Sequence, residues 1–258
     1  MEISVAAVIC AAGSSSRMGG KKKEYMLLPS PPDFHSQSPL SVLGAAVCAF
    51  ASCPRIGPIV ITVPPDLENG EAAARASLPP ELFTGDEHPR VFFVPGGHTR
   101  RASVHKALSF LDASAGSRVS YVLIHDGARP WIKQTLIKSV IEAVIEHGAV
   151  IPALPLAETP KELSSELSSG SIEPGGARFI QRHLRRAQLC TAQTPQGFKF
   201  PEILQAHQKA AEREAREHFE YTDDAEVWGE FIGRVAVIAG DSGNRKITFP
   251  EDLEYRHG

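Results

Sequence analysis

The chain has 258 residues, 42% of them apolar, and a formal net charge of −3. That is enough apolar material to bury one large α/β core without disulfides or metal for stability. The nearly balanced charge gives no global basic field, which argues against a nucleic-acid partner and makes any cationic group act locally. No apolar run approaches the roughly 20 residues that span a bilayer, and no basic-then-apolar leader opens the chain, so a cytoplasmic protein is expected. The cysteines Cys10, Cys48, Cys53 and Cys190 form no CxxC pair and have no His at zinc-finger spacing, which predicts reduced, mostly buried thiols.

In chain order, Ile3 to Cys10 is a short run rich in Val and Ile, as expected of a central strand buried on both faces of a sheet. It breaks sharply into Ala11-Ala12-Gly13, where missing side-chain bulk lets a ligand approach the backbone and lets the N–H groups of Gly13 to Ser16 turn toward an anion. Arg17 and Lys21-Lys22-Lys23 then place permanent positive charge beside those donors, an arrangement suited to a polyphosphate. Two better-known phosphate loops fail on residues. A Walker A loop needs Gly-Lys-Ser/Thr, whereas Gly20 is followed by Lys21-Lys22. A dinucleotide fingerprint needs glycines where Ser15 and Met18 stand.

The proline-rich stretch over 29–39 predicts an exposed excursion. Ser38-Pro39 reads as the N-cap and first turn of a helix over Leu40 to Phe50, ending before Pro54. A strand over Ile59 to Val63, a helix over Asp66 to Ser77 and a strand over Val91 to Val94 follow. Short apolar strands joined by helical crossovers predict a parallel sheet covered on both faces.

Pro95 to Ser103, PGGHTRRAS, then leads into a helix through about Asp112. It is either a second place where a flat ligand lies against backbone, with Ser103 able to bond a base or sugar edge, or a plain strand-to-helix turn capped by Thr99. After a fourth strand, Tyr121 to Ile124, comes HDGARP, 125–130. Asp126 and Arg129 there form either a turn-shaping salt bridge or a pair facing ligand and metal. Position at a strand end favours the second, because ligands collect at strand carboxyl ends in open parallel sheets. A helix over Trp131 to His147 and a strand over Ala149 to Leu154 complete the alternation.

At Pro155 the rhythm changes. The polar, Ser/Gly-rich segment to about 185 predicts a projecting hairpin arm, which needs a second subunit to pack against because an isolated ribbon is marginal in water. The chain returns through TPQGF, 194–198, to a charged helix over Pro201 to His218, then Thr222-Asp223-Asp224-Ala225 opening a helix to Trp228, and a strand over Val235 to Ala239. Lys246, beside a glycine-bearing turn, either reaches a phosphate or is a surface charge; a short helix begins at Pro250.

Taken together, AAGSSSRMGGKKKEY, PGGHTRRAS, HDGARP, AQTPQGF, YTDDA and NRKITFPEDL occur in an order and spacing that resembles the 2-C-methyl-D-erythritol 4-phosphate cytidylyltransferase family, from about Val5 to Leu253. The resemblance implies a single nucleotidyltransferase domain over 1–258, α/β and Rossmann-like, with a mostly parallel sheet, helices on both faces and a β-arm over about 155–185 used in homodimerisation. It implies transfer of CMP from CTP to the polyol phosphate with release of pyrophosphate and with Mg²⁺, the metal held mainly by CTP phosphates or also by Asp126. Arg17 and Lys23 match the loop cations that stabilise the reacting phosphorus, although Lys22 stands where the family often has Pro, so Lys21, Lys22 and Lys23 all stay candidates. Ala11, Ala12, Gly13, Gly97 and Ser103 match CTP-binding positions. Asp126, Arg129, Thr159, Arg186, Thr222 and Lys246 match groups that hold the acceptor, with Thr159 and Arg186 supplied by a partner's arm. The same pieces resemble ribitol-5-phosphate cytidylyltransferases, and a nucleotide-binding protein without turnover is the reading from another class.

Overall fold

The alternation of short Val- and Ile-rich runs with helical ones closes into a layered α/β structure, seen in a computed structural model that describes residues 4–15, 18–19, 21–29, 39–84, 91–115, 118–164, 177–217 and 219–254. Strands β1 (Val5–Cys10), β2 (Ile56–Val63), β3 (Val91–Pro95), β4 (Tyr121–Asp126) and β5 (Ala149–Pro155) alternate with helices α1 (Val42–Ala51), α2 (Leu67–Ala76), α3 (Arg100–Ala115) and α4 (Gln134–His147). Strands β6 (Lys161–Leu163), β7 (Ile180–His183), β8 (Cys190–Ala192) and β9 (Gln196–Lys199) follow, then helices α5 (Glu202–Glu217) and α6 (Asp224–Phe231), strand β10 (Ala236–Ala239) and a 3-10 turn, Pro250–Glu254.

The main sheet runs β10-β5-β9-β4-β1-β2-β3, with β8 pairing β5 at its end. Strand β1 is parallel to both β2 and β4. The chain therefore moves outward from β1 through β2 to β3, then returns to the other side of β1 to lay down β4. This reversal leaves a crevice beyond the carboxyl ends of β1 and β4, the usual ligand position in such sheets.

Side chains of β1 divide between two cores. Val5, Ala7 and Ile9 join Leu43, Val47 and Phe50 of α1 and Ile137, Val140 and Ile141 of α4 on one face. Ala6 and Val8 join Val104, Leu108 and Leu111 of α3, with Ile203 of α5 and Trp228 of α6, on the other. The period of two in a strand makes this split unavoidable once both faces are covered. Phe50 and Phe198 are fully buried, and truncating either to Ala would cost about 3–5 kcal/mol.

Several expectations are corrected. Helix α1 is capped by Ser41, whose hydroxyl accepts from the Gly44 N–H at 2.8 Å; the expected cap, Ser38, lies outside the described residues. Trp131 to Lys133 precede α4 as an irregular turn, with Gln134 its first helical residue. The stretch expected as an irregular return holds β8 and β9, and β9 is antiparallel to both β4 and β5. Its sequence, Gln-Gly-Phe-Lys, is too short to display periodicity. Gly197 is needed because a Cβ there would meet Val140 Cγ1 at 3.0 Å and Val144 at 3.1 Å.

Where an arm is expected, the described residues form an antiparallel β6–β7 ribbon, separate from the main sheet. Phe179, just before β7, is 76% exposed and Ile180 is 48% exposed. Residues 165–176 of the arm and most of the proline-rich excursion over 29–39 lie outside the described residues. No described helix is long and apolar enough to cross a membrane.

Candidate active site

Beyond the carboxyl ends of β1 to β4 lies a cavity of about 740 Å³, lined by Ala12, Gly13 and Ser15 after β1, Gly97 and Ser103 around the β3–α3 turn, Asp126 at the end of β4, and Lys22, Lys23 and Lys246. The loops that enter it come from distant parts of the chain, and the sheet reversal brings them together.

The first wall is the loop after β1. Ala11 is pinned to β2, its N–H donating to the Thr62 carbonyl at 3.1 Å and lying 3.3 Å from the Thr62 hydroxyl, so this N–H is committed to the sheet. Lys22 Nζ donates to the Gly13 carbonyl and lies 3.4 Å from that of Ala12. Because C=O and N–H point in opposite directions across a trans peptide, this turns the N–H groups of Gly13 and Ser14 away from Lys22. Burial lowers the Lys22 amine below its ordinary value, with Glu24 opposing the shift. Ser15 takes a positive φ of 51°, and its hydroxyl donates to the buried Glu24 carboxylate at 3.1 Å. Lys23 is 8% exposed, and its charge contributes to keeping the Asp252 carboxyl low against the effect of that group's burial. Arg17 lies outside the described residues.

The second wall is the β3–α3 turn. Gly97 N–H donates to the Ser103 hydroxyl at 3.0 Å, which itself donates to the Thr99 carbonyl at 2.9 Å. Ser103 thus shapes the glycine turn while lining the cavity, and Thr99 caps the start of α3 by accepting from the Ala102 N–H at 3.1 Å, so both readings of this turn find a feature here. Lys106 Nζ holds the Gly96 carbonyl at 2.8 Å. A Cβ on Gly96 would overlap that of Ala12, so the two ligand-facing loops touch only because glycine stands there.

The third wall is charged. Asp126 Oδ2 lies 3.0 Å from Lys246 Nζ and 3.3 Å from Arg129 Nε, while Oδ1 lies 3.7 Å from Arg100 Nε. Burial works to raise the Asp126 carboxyl, yet Lys246, Arg100 and Arg129 outweigh it and hold it far below the usual carboxylate range. Arg129 also donates to the Asn244 carbonyl at 2.8 Å, tying the β4 turn to the loop that carries Lys246. Of the two readings of Asp126 and Arg129, the turn-shaping salt bridge is present, and Asp126 also lines the cavity.

Behind this wall His125 is fully buried. Its Nε2 faces the Arg129 carbonyl at 3.1 Å and its Nδ1 the Thr194 hydroxyl at 3.1 Å. The Arg129 carbonyl can only accept, so the neutral ring carries its proton on Nε2 and Nδ1 accepts from the Thr194 hydroxyl, which in turn accepts from the Asp126 N–H at 3.1 Å. Burial pushes the His125 ring down to about 4, and it also pushes the thiol of Cys10, at the end of β1, up to about 12.

Thr159, Arg186 and Thr222 are not part of this cavity lining. Arg186 reaches the Ala157 carbonyl at 2.5 Å, which places it beside the Thr159 turn at the root of the arm, and both are exposed. Thr222 donates from its hydroxyl to Glu226 at 2.9 Å at the start of α6. Sequence reasoning passed over Lys22 as a carbonyl partner, Glu24, Arg100 and Asp224. Arg100 and Asp224 sit inside motifs already singled out, but their partners are remote in sequence.

Among the described residues, no group of three or more His, Cys, Asp and Glu could hold a metal ion. Asp126 is already compensated by three cations, which makes it a poor ligand for a fourth; a divalent ion does not fit a cage of side chains here.

Comparison with known proteins adds sequence and fold. The profile of a family described as 2-C-methyl-D-erythritol 4-phosphate cytidylyltransferase matches residues 5–256. The bifunctional enzyme IspD/IspF of Brucella abortus is 32% identical over 249 residues, 95% of this chain and 54% of that protein. The corresponding protein of Nitrobacter hamburgensis is 36% identical over 253 residues, 96% of this chain and 53% of that one. The chain thus spans about half the length of these curated relatives. Among solved structures, 4-diphosphocytidyl-2C-methyl-D-erythritol synthase from Anaerococcus prevotii matches with TM-score 0.72 at 24% identity, covering 98% of this chain and 93% of that one. The 2-C-methyl-D-erythritol 4-phosphate cytidylyltransferase from Thermus thermophilus matches with TM-score 0.65 at 25% identity, covering 98% and 96%.

Proposed function

Because the chain belongs to the 2-C-methyl-D-erythritol 4-phosphate cytidylyltransferase family, we propose that it transfers CMP from CTP to 2-C-methyl-D-erythritol 4-phosphate and releases pyrophosphate. The observation that carries this reading is one cavity in which the Ala12–Ser15 loop with Lys22 and Lys23 stands across from the Asp126 and Lys246 pair. One wall suits a triphosphate; the other suits a phosphate monoester with hydroxyls.

The chemistry needs no side-chain nucleophile. A phosphate monoester has a second pKa near ~6, so its oxygen is already anionic at neutral pH. That oxygen attacks the α-phosphorus of CTP, a new P–O bond forms, and the bond to the β-phosphate oxygen breaks in line as pyrophosphate departs. The obstacle is charge. Lys23 and Arg17 serve the reacting phosphorus, Lys246 receives the acceptor phosphate, and Asp126 keeps Lys246 in place while accepting from acceptor hydroxyls. Gly97 and Ser103 shape the surface for the base. A divalent cation such as Mg²⁺ would be held by the triphosphate itself and would supply charge neutralisation there.

We read the whole chain as one catalytic unit whose arm makes a homodimer. Arg186, which holds the Ala157 carbonyl two residues before Thr159, and Thr159 are both exposed and outside their own chain's cavity, which suits delivery to a partner's acceptor site. The deciding experiment measures pyrophosphate release with CTP and Mg²⁺, using methylerythritol 4-phosphate in one assay and ribitol 5-phosphate in another. Turnover with the first alone is expected. Preference for the second moves the assignment to ribitol phosphate, and absence of turnover with both overturns the catalytic reading.

A further inference from the structure

Charge continues below the floor of the cavity, where the reaction as described makes no use of it. Arg100, in the first turn of α3, lines the cavity and lies 2.8 Å from Asp224 Oδ2 through Nη2 as well as 3.7 Å from Asp126 Oδ1 through Nε. The other Asp224 oxygen is 3.3 Å from Nε2 of His207 in α5, the two side chains being 1% and 0% exposed. Neither contact is an aligned hydrogen bond: both Asp224 oxygens and both His207 ring nitrogens are without one.

A buried carboxylate held this way is a poor device for stability. Its partners offset the cost of desolvating it, yet an apolar pair of similar volume would serve the fold as well. Helix capping does not explain it either, because the cap of α6 is Asp223, which accepts from the Glu226 N–H at 2.9 Å. Nor does the packing of α3 on α5 require it, since Arg101 already joins those helices through Glu214 at 2.6 Å and the His207 carbonyl at 3.2 Å. What Asp224 does uniquely is give the Arg100 guanidinium a second anion. With Asp126 alone, Arg100 would collapse onto the carboxylate that also holds Lys246 and Arg129. Three cations around two carboxylates leave one positive charge in excess beside the cavity.

We propose that Asp224, backed by His207, is a positioning residue that draws Arg100 off Asp126 and presents it to the cavity as a further phosphate-facing cation of the transfer reaction. The inference deepens the cytidylyltransferase reading and rests on it. Burial works to raise the Asp224 carboxyl, and Arg100 with His207 overcomes this and holds it below its ordinary value, so it is an anion throughout the working range. His207 fills the space behind it, its ring 6.4 Å from that of His105, and sets how far Asp224 can retreat when Arg100 turns to a phosphate.

The test compares kcat and the two KM values of Arg100→Met, Asp224→Asn and the double variant with wild type, alongside thermal unfolding. Arg100→Met should lower kcat about 10²-fold and Asp224→Asn about tenfold or more through misplacement, with KM for CTP little changed in a folded protein. The double variant should lose no more than Arg100→Met, because Asp224 acts through Arg100. A normal kcat in folded Asp224→Asn, or losses that multiply in the double variant, overturns the proposal. Should Asp224→Asn not fold, His207→Leu and His207→Gln decide: Gln keeps a donor toward Asp224 and should recover most of the kcat that Leu loses, and equal kcat in the two overturns it. Wild-type turnover in the same assay tests the parent reading separately. If wild type is inactive with both acceptors, calorimetric binding of inorganic pyrophosphate replaces kcat: Arg100→Met and Asp224→Asn should weaken it alike, and unchanged binding overturns the positioning.

Discussion

Lys246 Nζ stands 3.0 Å from Asp126 Oδ2, joining the loop after β10 to the end of β4. The two differ in setting: the Lys246 side chain is 38% exposed and that of Asp126 10%. Removing Lys246 returns one partner's place to water. Removing the Asp126 charge strands Arg129 at the edge of the core and leaves Arg100 with Asp224. Lys246→Ala should therefore lower kcat about 10²–10³-fold with little change in Tm, while Asp126→Asn should lose turnover and also unfold several degrees lower. Calorimetric melts of both variants beside their kinetics check this, and equal Tm values would sink the contrast.

The two lysines of the first loop should separate kinetically. Lys22 holds backbone carbonyls, so Lys22→Met should raise KM for CTP about tenfold by loosening the Gly13 and Ser14 donors. Lys23→Met should instead lower kcat about 10²-fold or more. Steady-state kinetics with CTP varied at saturating acceptor read both; the opposite split exchanges the assignments.

His125 predicts a stability slope. The folded chain keeps its ring neutral down to about 4, whereas the unfolded chain takes up a proton near ~6.5. Between those values the unfolded state binds more protons, so stability rises with pH and is lost on acidification from ~6.5 to about 4, by roughly 3 kcal/mol. Urea unfolding from pH 4 to 7 should show that loss, and His125→Gln should flatten it; an unchanged slope in the variant assigns the effect elsewhere.

Arg186 and Thr159 should act across a dimer. Mixing Arg186→Ala with Lys246→Ala, each nearly inactive alone, should regain activity as mixed dimers form one site with both wild-type residues. Activity that stays at the sum of the parents means that Arg186 serves its own chain.

Much of the fold was legible because strands β1 to β5 are short apolar runs with helices of ordinary length between them, and β1, β3 and β4 end in loops whose residues suit a ligand. Strand β9 was not: four residues with a central glycine carry no period, and the strand exists because β4 and β5 leave a slot that Gly197 alone can enter beside Val140 and Val144. Within the site, the loop after β1 and the residues Asp126 and Lys246 announced themselves by charge and position. Arg100 and Asp224 did not, since both stand in segments already rich in charge and only folding decides which of several cations meets which carboxylate. The Ser103 hydroxyl illustrates the reverse. Its type suited a ligand contact, and within the cavity wall it also ties Gly97 to Thr99, a role that type alone does not announce.

The polypeptide departs from the sheet at the end of β5 and comes back along the same strand, Ala153 pairing with Ala192 across β8. Because the chain returns at the strand it left, the pairing that holds this edge of the sheet does not depend on the length of the segment between those two residues.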